Sequence, residues 1–287
     1  MQAQSAAKKL GMPFEERGCR LRSSAIAETF AGTNLINWRH HLMFTRYAWI
    51  GLAVSTGLFA AEPRANTLTA QEQRDGWKLL WDGQSSAGWR SARSDVFPAH
   101  GWQIKDGVLS VLKSDGHEGG AGGDIVTREK YSNFELSVDF KITPGANSGI
   151  KYFVDSDLNK GPGSSIGLEY QILDDEQHPD AKQGRNGNRT LASVYDLYAA
   201  SSAKKPNAMG EWNTARIVSR GAHVEHWLNG QKVAEYERFT DRFRKDVQES
   251  KYKAWPGFGE WKDGHILLQD HGDEVHFRNL KLRVLAE

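Results

Sequence analysis

GLEYQILDD, at residues 167–175, is the stretch that decides the fold. Leu168, Tyr170 and Ile172 alternate with Glu169 and Gln171, which is the two-residue period of a β-strand with one apolar face. Two residues of strand rise place the side chains of Glu169 and Gln171 about 6.6–6.8 Å apart and parallel. We therefore predict a rigid strand that presents a carboxylate and an amide together, an arrangement suited to the hydroxyl groups of a sugar.

The same alternation recurs on both sides of this stretch. It appears at residues 134–142, 150–154, 215–218, 224–228 and 275–282. Asp106-Gly107 and Asn229-Gly230 each join two such runs, as expected of tight hairpin turns. One segment near residues 240–250 is instead apolar at every fourth position and predicts a short amphipathic helix. About a dozen short strands with one helix predict an all-β fold, a β-sandwich of two antiparallel sheets.

Composition excludes some classes of partner. Lysine and arginine total 37 against 36 for aspartate and glutamate, so no overall field favours nucleic acid or an anionic membrane. The 10 tryptophans supply flat apolar faces on which sugars stack, although most are expected in the core. The single cysteine, Cys19, allows neither an intrachain disulfide nor a cysteine zinc site, so a metal would need oxygen or imidazole ligands.

The N-terminal part of the chain carries an export pattern. Arg46 precedes an uncharged, mainly apolar run at residues 48–61, and small residues end that run. This order is typical of a secretory signal peptide. The run is also shorter than the roughly 20 residues that a membrane span needs. We therefore predict a periplasmic or secreted protein without stable membrane insertion, with a buried amphipathic helix as the alternative reading of the run.

These features predict four regions along the chain. Residues 1–42 are an upstream extension, since the signal peptide suggests that the true start is Met43. Residues 43–65 form the signal peptide and residues 66–75 a flexible leader. Residues 76–287 are the folded domain.

Six motifs occur in order along this domain. They are GDIVT at 123–127, NSGI at 147–150, EYQILD at 169–174, EWNTAR at 211–216, VEHWLNG at 224–230, and GHI with LQDHG within 264–272. Together they closely resemble the 3-keto-disaccharide hydrolase family, long described as a domain of unknown function, over about residues 76–285. The resemblance implies a concanavalin A-like jelly roll and a secreted bacterial protein. It further implies action on glycosides oxidised at sugar carbon 3, with a sugar 3-dehydrogenase acting upstream.

The implied substrate suggests an elimination. A ketone at carbon 3 acidifies the proton on carbon 2, and the enolate formed by its removal expels the group on carbon 1. Water then adds back, so the net result is hydrolysis. Such a site needs a base, a group that stabilises the enolate oxygen, and an acid for the leaving group. Conventional hydrolysis needs paired carboxylates, and residues 171 and 173 of the key strand are glutamine and leucine, which favours elimination.

Three residues are candidates for these catalytic roles. We assign Glu169 as the general base. Lys151, on a neighbouring strand, would stabilise the enolate oxygen, with a solvated strand lysine as the alternative. His226 would be the acid, because histidine titrates in the useful pH range. A structural histidine packed beside Trp227 is the alternative for His226.

Five further residues are candidates for substrate binding. Gln171 would orient the sugar or the enolate. Asp124 follows a run of glycines, which fits either sugar binding or a tight corner of the backbone. Gln269 and His271 share a strand face and would form a second wall, although His271 would otherwise cap a turn. Trp255 would be the stacking platform.

A divalent metal that polarises the ketone is left open by the sequence. No local spacing such as HExxH supports one. Its oxygen and imidazole ligands would come from Glu169, Asp174, His178, His226 and His271.

Two other functions fit the same features. A non-catalytic carbohydrate-binding module would bind a 3-keto-glucoside without releasing its aglycone. A conventional glycoside hydrolase would turn over unoxidised glycosides.

Overall fold

The computed structural model describes residues 64–159, 161 and 163–286. The predicted upstream extension and all but the last two residues of the predicted signal peptide lie outside the described residues. No helix in the described part of the chain is long and apolar enough to cross a membrane.

Thirteen strands are found in the described residues. In chain order they are β1 (Lys78–Leu79), β2 (Trp89–Ser91), β3 (Trp102–Lys105), β4 (Val108–Val111), β5 (Ile125–Thr127), β6 (Phe134–Ile142), β7 (Asn147–Asp155), β8 (Ile166–Leu173), β9 (Asn213–Arg220), β10 (His223–Leu228), β11 (Gln231–Glu237), β12 (His265–Leu268) and β13 (Val275–Val284).

The strands pair antiparallel into two sheets. The larger has eight strands in the order β11-β10-β9-β6-β13-β4-β3, with β1 also paired to β13. The smaller has five strands in the order β2-β5-β12-β7-β8. Neighbours such as β12 and β7 are far apart in sequence, which is the crossover pattern of a jelly roll. The predicted all-β sandwich of two antiparallel sheets is confirmed.

One hydrophobic core fills the space between the sheets. Phe134 of the larger sheet lies edge-on to Tyr152 of the smaller one, with ring centroids 6.3 Å apart. Tyr170 and Ile172 of β8 belong to the same cluster. Burial of these apolar faces is the dominant favourable contribution to folding. Because side chains alternate along a strand, the residues between them must point to the other face of the five-stranded sheet.

That other face is also covered. Every residue of β7 from Asn147 to Val154 is buried, which a half-exposed strand would not show. Ser164 and Ser165 form part of this cover, because they accept hydrogen bonds from the side chain of Lys151. The segment at residues 191–198 extends the edge of the sheet beside β8, where Ala192 N–H donates to the carbonyl of Gln171 and Tyr195 N–H to that of Glu169. Polar residues on this face are therefore held in a low-dielectric environment.

The predicted helix is confirmed as α2 (Asp241–Gln248). Thr240 caps it by accepting a hydrogen bond from the backbone N–H of Phe243, and Phe243 and Val247 form its buried side. Two short 3-10 turns, at Pro179–Lys182 and Lys251–Ala254, were not predicted.

The segment predicted as a flexible leader differs in the structure. It contains a second helix, α1 (Ala70–Arg74), which begins with a capping box between Thr69 and Glu72. Just before it, the Asn66 side chain donates to the carbonyl of Gly107, and its backbone N–H donates to the side chain of Asn279. These long-range hydrogen bonds tie residues 66–75 to the larger sheet.

Candidate functional site

The centre of the candidate site is a pair of charged residues on neighbouring strands. Lys151 of β7 and Glu169 of β8 are direct partners in the antiparallel register. The ammonium group of Lys151 lies 3.7 Å from Oε2 of Glu169. Both residues are buried on the face of the five-stranded sheet that points away from the core. The structure thus brings together the two residues that we assigned as base and enolate stabiliser.

Gly149 makes room for this pair. It lies opposite Gln171 in the register, two positions along the strands from Lys151 and Glu169 and therefore on the same face of the sheet. A Cβ atom at this position would lie only 2.2 Å from Oε1 of Glu169. The Glu169 carboxylate therefore rests above the backbone of Gly149, and only glycine permits that approach.

The environment of Glu169 alters its acidity. Burial raises the pKa of Glu169, an effect that the nearby charge of Lys151 only partly offsets. Among the described residues, no donor forms a hydrogen bond with the carboxylate, and Lys151 is the cation within 4 Å. A carboxylate held with so little solvation is a stronger base once it is ionised.

Lys151 is fixed by hydrogen bonds. Its Nζ donates to Oγ of Ser164 at 2.5 Å and to the carbonyl of Ser165 at 3.3 Å. Ser164 in turn donates to Asp124, which also accepts the backbone N–H groups of Ser165 and Asp270. Lys151 is therefore a rigidly placed positive charge beside Glu169.

Asp124 has a different position from the one expected of a substrate-binding residue. Its carboxylate is occupied by donors of the protein itself and does not line the neighbouring pocket. Burial raises the pKa of Asp124. The structure therefore supports the other reading of this residue, a structural corner that holds Ser164 and Ser165 in place beneath Lys151.

A pocket of about 210 Å³ opens above Lys151. Its walls include Glu118, Ser164, Lys251, Tyr252 and Trp255, so the expected stacking platform does lie at the site. The volume is below the roughly 300–1,000 Å³ of pockets for drug-sized ligands, and it suits a group the size of a single sugar. Glu169 is 3% exposed and is not itself a lining residue, and its carboxylate lies 3.7 Å from the Lys151 ammonium group that lines the pocket.

Glu118 is a second carboxylate that sequence reasoning missed. Its Oε1 lies 3.9 Å from Nζ of Lys151 and accepts a hydrogen bond from Gln269 at 3.2 Å. Burial raises the pKa of Glu118, but the charges of Lys151, Lys251 and His271 and a backbone hydrogen bond together lower it more, so the net shift is downward. The two carboxylates beside Lys151 thus have pKa values shifted in opposite directions, a pattern associated with acid and base roles.

The glycine-rich segment after Glu118 explains how this carboxylate reaches the site. The backbone N–H groups of Gly122 and Gly123 donate to the side chain of Asp270. A Cβ at Gly120 would lie 2.1 Å from that same carboxylate. The loop can therefore wrap closely around Asp270 because it lacks side chains, and the run of glycines was the available sequence signal.

The predicted second wall is partly in place. Gln269 is buried and reaches Glu118, as described above, while the ring of His271 lies 6.1 Å from that of His178 in an edge-on arrangement. The Nδ1 atom of His271 is buried without a hydrogen-bond partner among the described residues. Gln171 donates from Nε2 to the side chain of Asn147 at 3.4 Å.

His226 is not at the site. Its ring is fully buried between the two sheets, where Nδ1 donates to the carbonyl of Ala192 and Nε2 accepts from the hydroxyl of Tyr152. Burial lowers the pKa of His226 to about 4. Since Tyr152 and Lys151 point to opposite faces of β7, His226 and Glu169 are separated by the sheet. The structure supports the structural alternative for His226 and removes it from the site.

The five possible metal ligands do not converge. His226 is in the core, and Asp174 accepts backbone N–H groups of Gly145, Glu176 and Gln177. Among the described residues, the cluster with metal-like geometry is instead His223, Glu225 and Glu235 on the other sheet, where Lys232 already contacts both glutamates. His226 and Asp174 are therefore not available as ligands at the site.

Comparisons with known proteins agree with the sandwich fold. Residues 76–283 match the sequence profile of the 3-keto-alpha-glucoside-1,2-lyase-like domain. A 3-keto-disaccharide hydrolase of Bacteroides thetaiotaomicron is 37% identical over 257 aligned residues, which cover 82% of this chain and 87% of that protein.

Two crystal structures of putative glycosyl hydrolases from Parabacteroides distasonis are also similar. The first is 30% identical with a TM-score of 0.67, and the match covers 78% of this chain and 100% of the other. The second is 28% identical with a TM-score of 0.54, covering 73% and 99%. The extent of the profile match and the identity to the Bacteroides protein together show that this chain belongs to the 3-keto-alpha-glucoside-1,2-lyase-like domain family.

Proposed function

We propose that this protein cleaves the glycosidic bond of sugars that carry a ketone at carbon 3, by removing the proton on carbon 2 and eliminating the group on carbon 1. The observation that carries the proposal is the buried Lys151–Glu169 pair, whose lysine lines a pocket of about 210 Å³. The 3-keto-disaccharide hydrolase named above is the relative that points to this substrate class.

Glu169 is the base in this proposal. Its raised pKa suits proton abstraction from carbon, which demands a stronger base than an exposed carboxylate. The electron pair released from the bond to carbon 2 forms an enolate, whose negative oxygen is at carbon 3. Lys151 stabilises that oxygen, because a fixed cation in a water-poor site acts strongly on developing charge.

Collapse of the enolate forms a double bond between carbons 1 and 2 and expels the aglycone oxygen. Water then adds at carbon 1, and the protonated Glu169 returns its proton to carbon 2. The carbonyl at carbon 3 is restored, so the net reaction is hydrolysis without any change of oxidation state. A sugar 3-dehydrogenase would supply the oxidised substrate.

Conventional glycoside hydrolysis is the second candidate. The observation that favours it is Glu118, because Glu118 and Glu169 flank the same ammonium group with pKa values shifted in opposite directions. Such a pair would need no ketone on the sugar.

The experiment compares the full chain and Glu169→Gln on 3-keto and unoxidised glucosides of both anomers. We expect aglycone release from the 3-keto substrate only, and a loss of roughly 10²–10⁴-fold in Glu169→Gln, as for removal of a general base. Glu176→Gln is the control, because Glu176 is an exposed glutamate that follows β8, and this variant should keep full activity. Binding without turnover would indicate a carbohydrate-binding module, and turnover of the unoxidised glucoside a conventional hydrolase.

The mechanism has a separate isotopic test. Elimination breaks the bond between carbon 2 and its hydrogen, whereas direct hydrolysis leaves that bond intact. A 3-keto-glucoside deuterated at carbon 2 should therefore be cleaved with a lower kcat/KM than the unlabelled substrate. Equal values of kcat/KM for the two substrates would contradict removal of this proton in the rate-determining step.

We also propose that the protein is exported, on the basis of the signal-like pattern at residues 43–65. Mass spectrometry of the protein from its native source tests this. A form found only in the cytoplasm, or an extracytoplasmic form that still carries residues 43–65, would contradict a cleaved export signal.

A further inference from the structure

Lys251 is held at the pocket wall by its backbone. It is the first residue of the 3-10 turn Lys251–Ala254, and its N–H donates to Oδ2 of Asp196 at 2.7 Å. Ser250 caps the turn by accepting a hydrogen bond from the N–H of Tyr252. The root of the Lys251 side chain is therefore fixed relative to the pocket that it lines together with Lys151.

The ammonium group of Lys251 rests against aromatic rings. Its Nζ lies 4.1 Å from the ring centroid of Tyr195 and 5.2 Å from that of Tyr252, both within the range of a cation–π interaction. In the described part of the chain, no carboxylate lies within 4 Å of it and no acceptor hydrogen-bonds it. Its N–H bonds are thus available to a bound molecule.

Lys151 provides the contrast. Its ammonium group already donates to Ser164 and Ser165 and lies near Glu169 and Glu118. Two of its three N–H donors are therefore in use, and its charge is fixed in place. The two lysines of one pocket are therefore suited to different tasks.

We propose that Lys251 is the general acid that protonates the aglycone oxygen as its bond to carbon 1 breaks; this inference rests on the elimination proposed above. It fills the role that His226 cannot take from the far side of the sheet.

The proton balance of the cycle is complete with Lys251 in this role. Glu169 takes the proton from carbon 2, and the electron pair moves through the enolate to break the bond between carbon 1 and the aglycone oxygen. The Lys251 ammonium gives a proton to that oxygen and becomes a neutral amine. In the second half, the amine takes a proton from water as its oxygen adds to carbon 1, and Glu169 returns its proton to carbon 2.

The electrostatic surroundings agree with this role. Although much of the Lys251 side chain is exposed at the rim, the loss of water around its ammonium lowers the pKa of Lys251. The like charges of Lys151 and Arg189 act in the same direction, while Glu169 and Glu118 oppose them. An ammonium with a lowered pKa gives up its proton more readily than a lysine in water.

The test measures dependence on the leaving group. The full-length wild type, Lys251→Met and Lys251→Arg are assayed on 3-keto-glucosides that release either 4-nitrophenol, which leaves without protonation, or methanol, which needs it. We expect Lys251→Met to lose about 100-fold or more on the methyl glycoside and less than about 10-fold on the nitrophenyl glycoside, since general acid catalysis contributes roughly 10²–10⁴-fold. Lys251→Arg should behave like Lys251→Met, because a guanidinium keeps its proton.

Lys253→Met is the matched control, since Lys253 is an exposed lysine of the same turn and does not line the pocket. It should match the wild type on both substrates. Equal losses of Lys251→Met on the two substrates, or recovery in Lys251→Arg, would overturn the acid role and leave Lys251 as a binding charge. Failure of the elimination itself would look different, because the wild type would then either leave both 3-keto substrates uncleaved or cleave the unoxidised glucosides as well. Melting temperatures near that of the wild type exclude misfolding as the cause of a loss.

Discussion

Lys151 and Glu169 face each other across neighbouring strands, with Nζ of the lysine 3.7 Å from Oε2 of the glutamate. Both side chains are almost completely buried. Lys151 donates hydrogen bonds to Ser164 and Ser165, whereas Glu169 has no hydrogen-bond donor among the described residues. The lysine thus presents a fixed positive charge beside a glutamate that is left to act as a base.

Replacing Lys151 with methionine should reduce kcat and shift the rate–pH profile. Loss of a fixed donor at a developing negative charge costs roughly 10²–10³-fold in kcat. Without the lysine charge, the pKa of Glu169 should rise further, because burial is then unopposed by the neighbouring cation. The rise of kcat/KM with pH should therefore move to higher pH. Lys113→Met, at an exposed position, is the control, and an unchanged profile in Lys151→Met would contradict the pairing.

Replacing Gly149 with alanine should inactivate the protein while leaving it folded. The added methyl group would lie 2.2 Å from Oε1 of Glu169, so the carboxylate must move. Strand backbone accepts alanine without strain, and the effect is therefore local to the site. We expect a loss of at least about 100-fold in kcat/KM, comparable with loss of the general base. Circular dichroism and thermal melting provide the folding check, and an active Gly149→Ala protein would show that the position of Glu169 is not critical.

His226 should make stability depend on pH. Its pKa is about 4 in the folded protein, against an ordinary value of 6.5. As pH falls below 6.5 the unfolded chain binds a proton that the folded protein does not, so stability is lost between about pH 6.5 and 4. Urea denaturation should show the wild type losing roughly 2–3 kcal/mol more than His226→Gln between pH 7 and pH 4.5, at about 1.36 kcal/mol for each unit of pKa shift. Parallel losses in the two proteins would mean that His226 is protonated in the fold.

Arg238 should stabilise the segment that follows Trp255. Its guanidinium is buried 3.7 Å from the ring centroid of Phe153 and donates to the carbonyls of Gly259 and Trp261. Arg238→Met leaves both carbonyls without a donor, at about 1–3 kcal/mol each. We expect the free energy of unfolding to fall by about 2–5 kcal/mol and KM to rise.

The control for this prediction is Arg242→Met, because Arg242 is exposed on α2 and its side chain is 87% accessible. It should unfold like the wild type. A stability of Arg238→Met within about 0.5 kcal/mol of the wild type would show that water replaces the guanidinium, since that range is typical of neutral surface substitutions.

Several features of the site were within reach of the sequence. Alternation is a local property of each strand, and so the shared face of Glu169 and Gln171 followed from their spacing. The same rule could have excluded His226, because it lies two residues from the buried Val224 and Leu228 and therefore shares their face of the strand, which points into the core. The capping-box residues Thr69 and Glu72 could likewise have predicted the α1 helix in the segment that we interpreted as a flexible leader.

The positions of Glu118 and Lys251 beside Lys151 could not be predicted from strand periodicity. Glu118 lies in a loop whose path is set by hydrogen bonds to Asp270, and Lys251 follows a helix whose other basic residues face solvent. Neither has a periodic pattern that places it next to Lys151. Their convergence depends on contacts between segments far apart in the chain.

The sequence by itself determined the two-sheet sandwich, the family and the strand that carries Glu169, because hydrophobic periodicity and ordered motifs are properties of consecutive residues. Only the tertiary structure decided which charges meet. Packing brought Glu118 and Lys251 to the pocket and placed the sheet between His226 and Glu169. Burial then shifted the pKa values of these four residues, because the cost of a buried charge depends on every neighbour that displaces water from it.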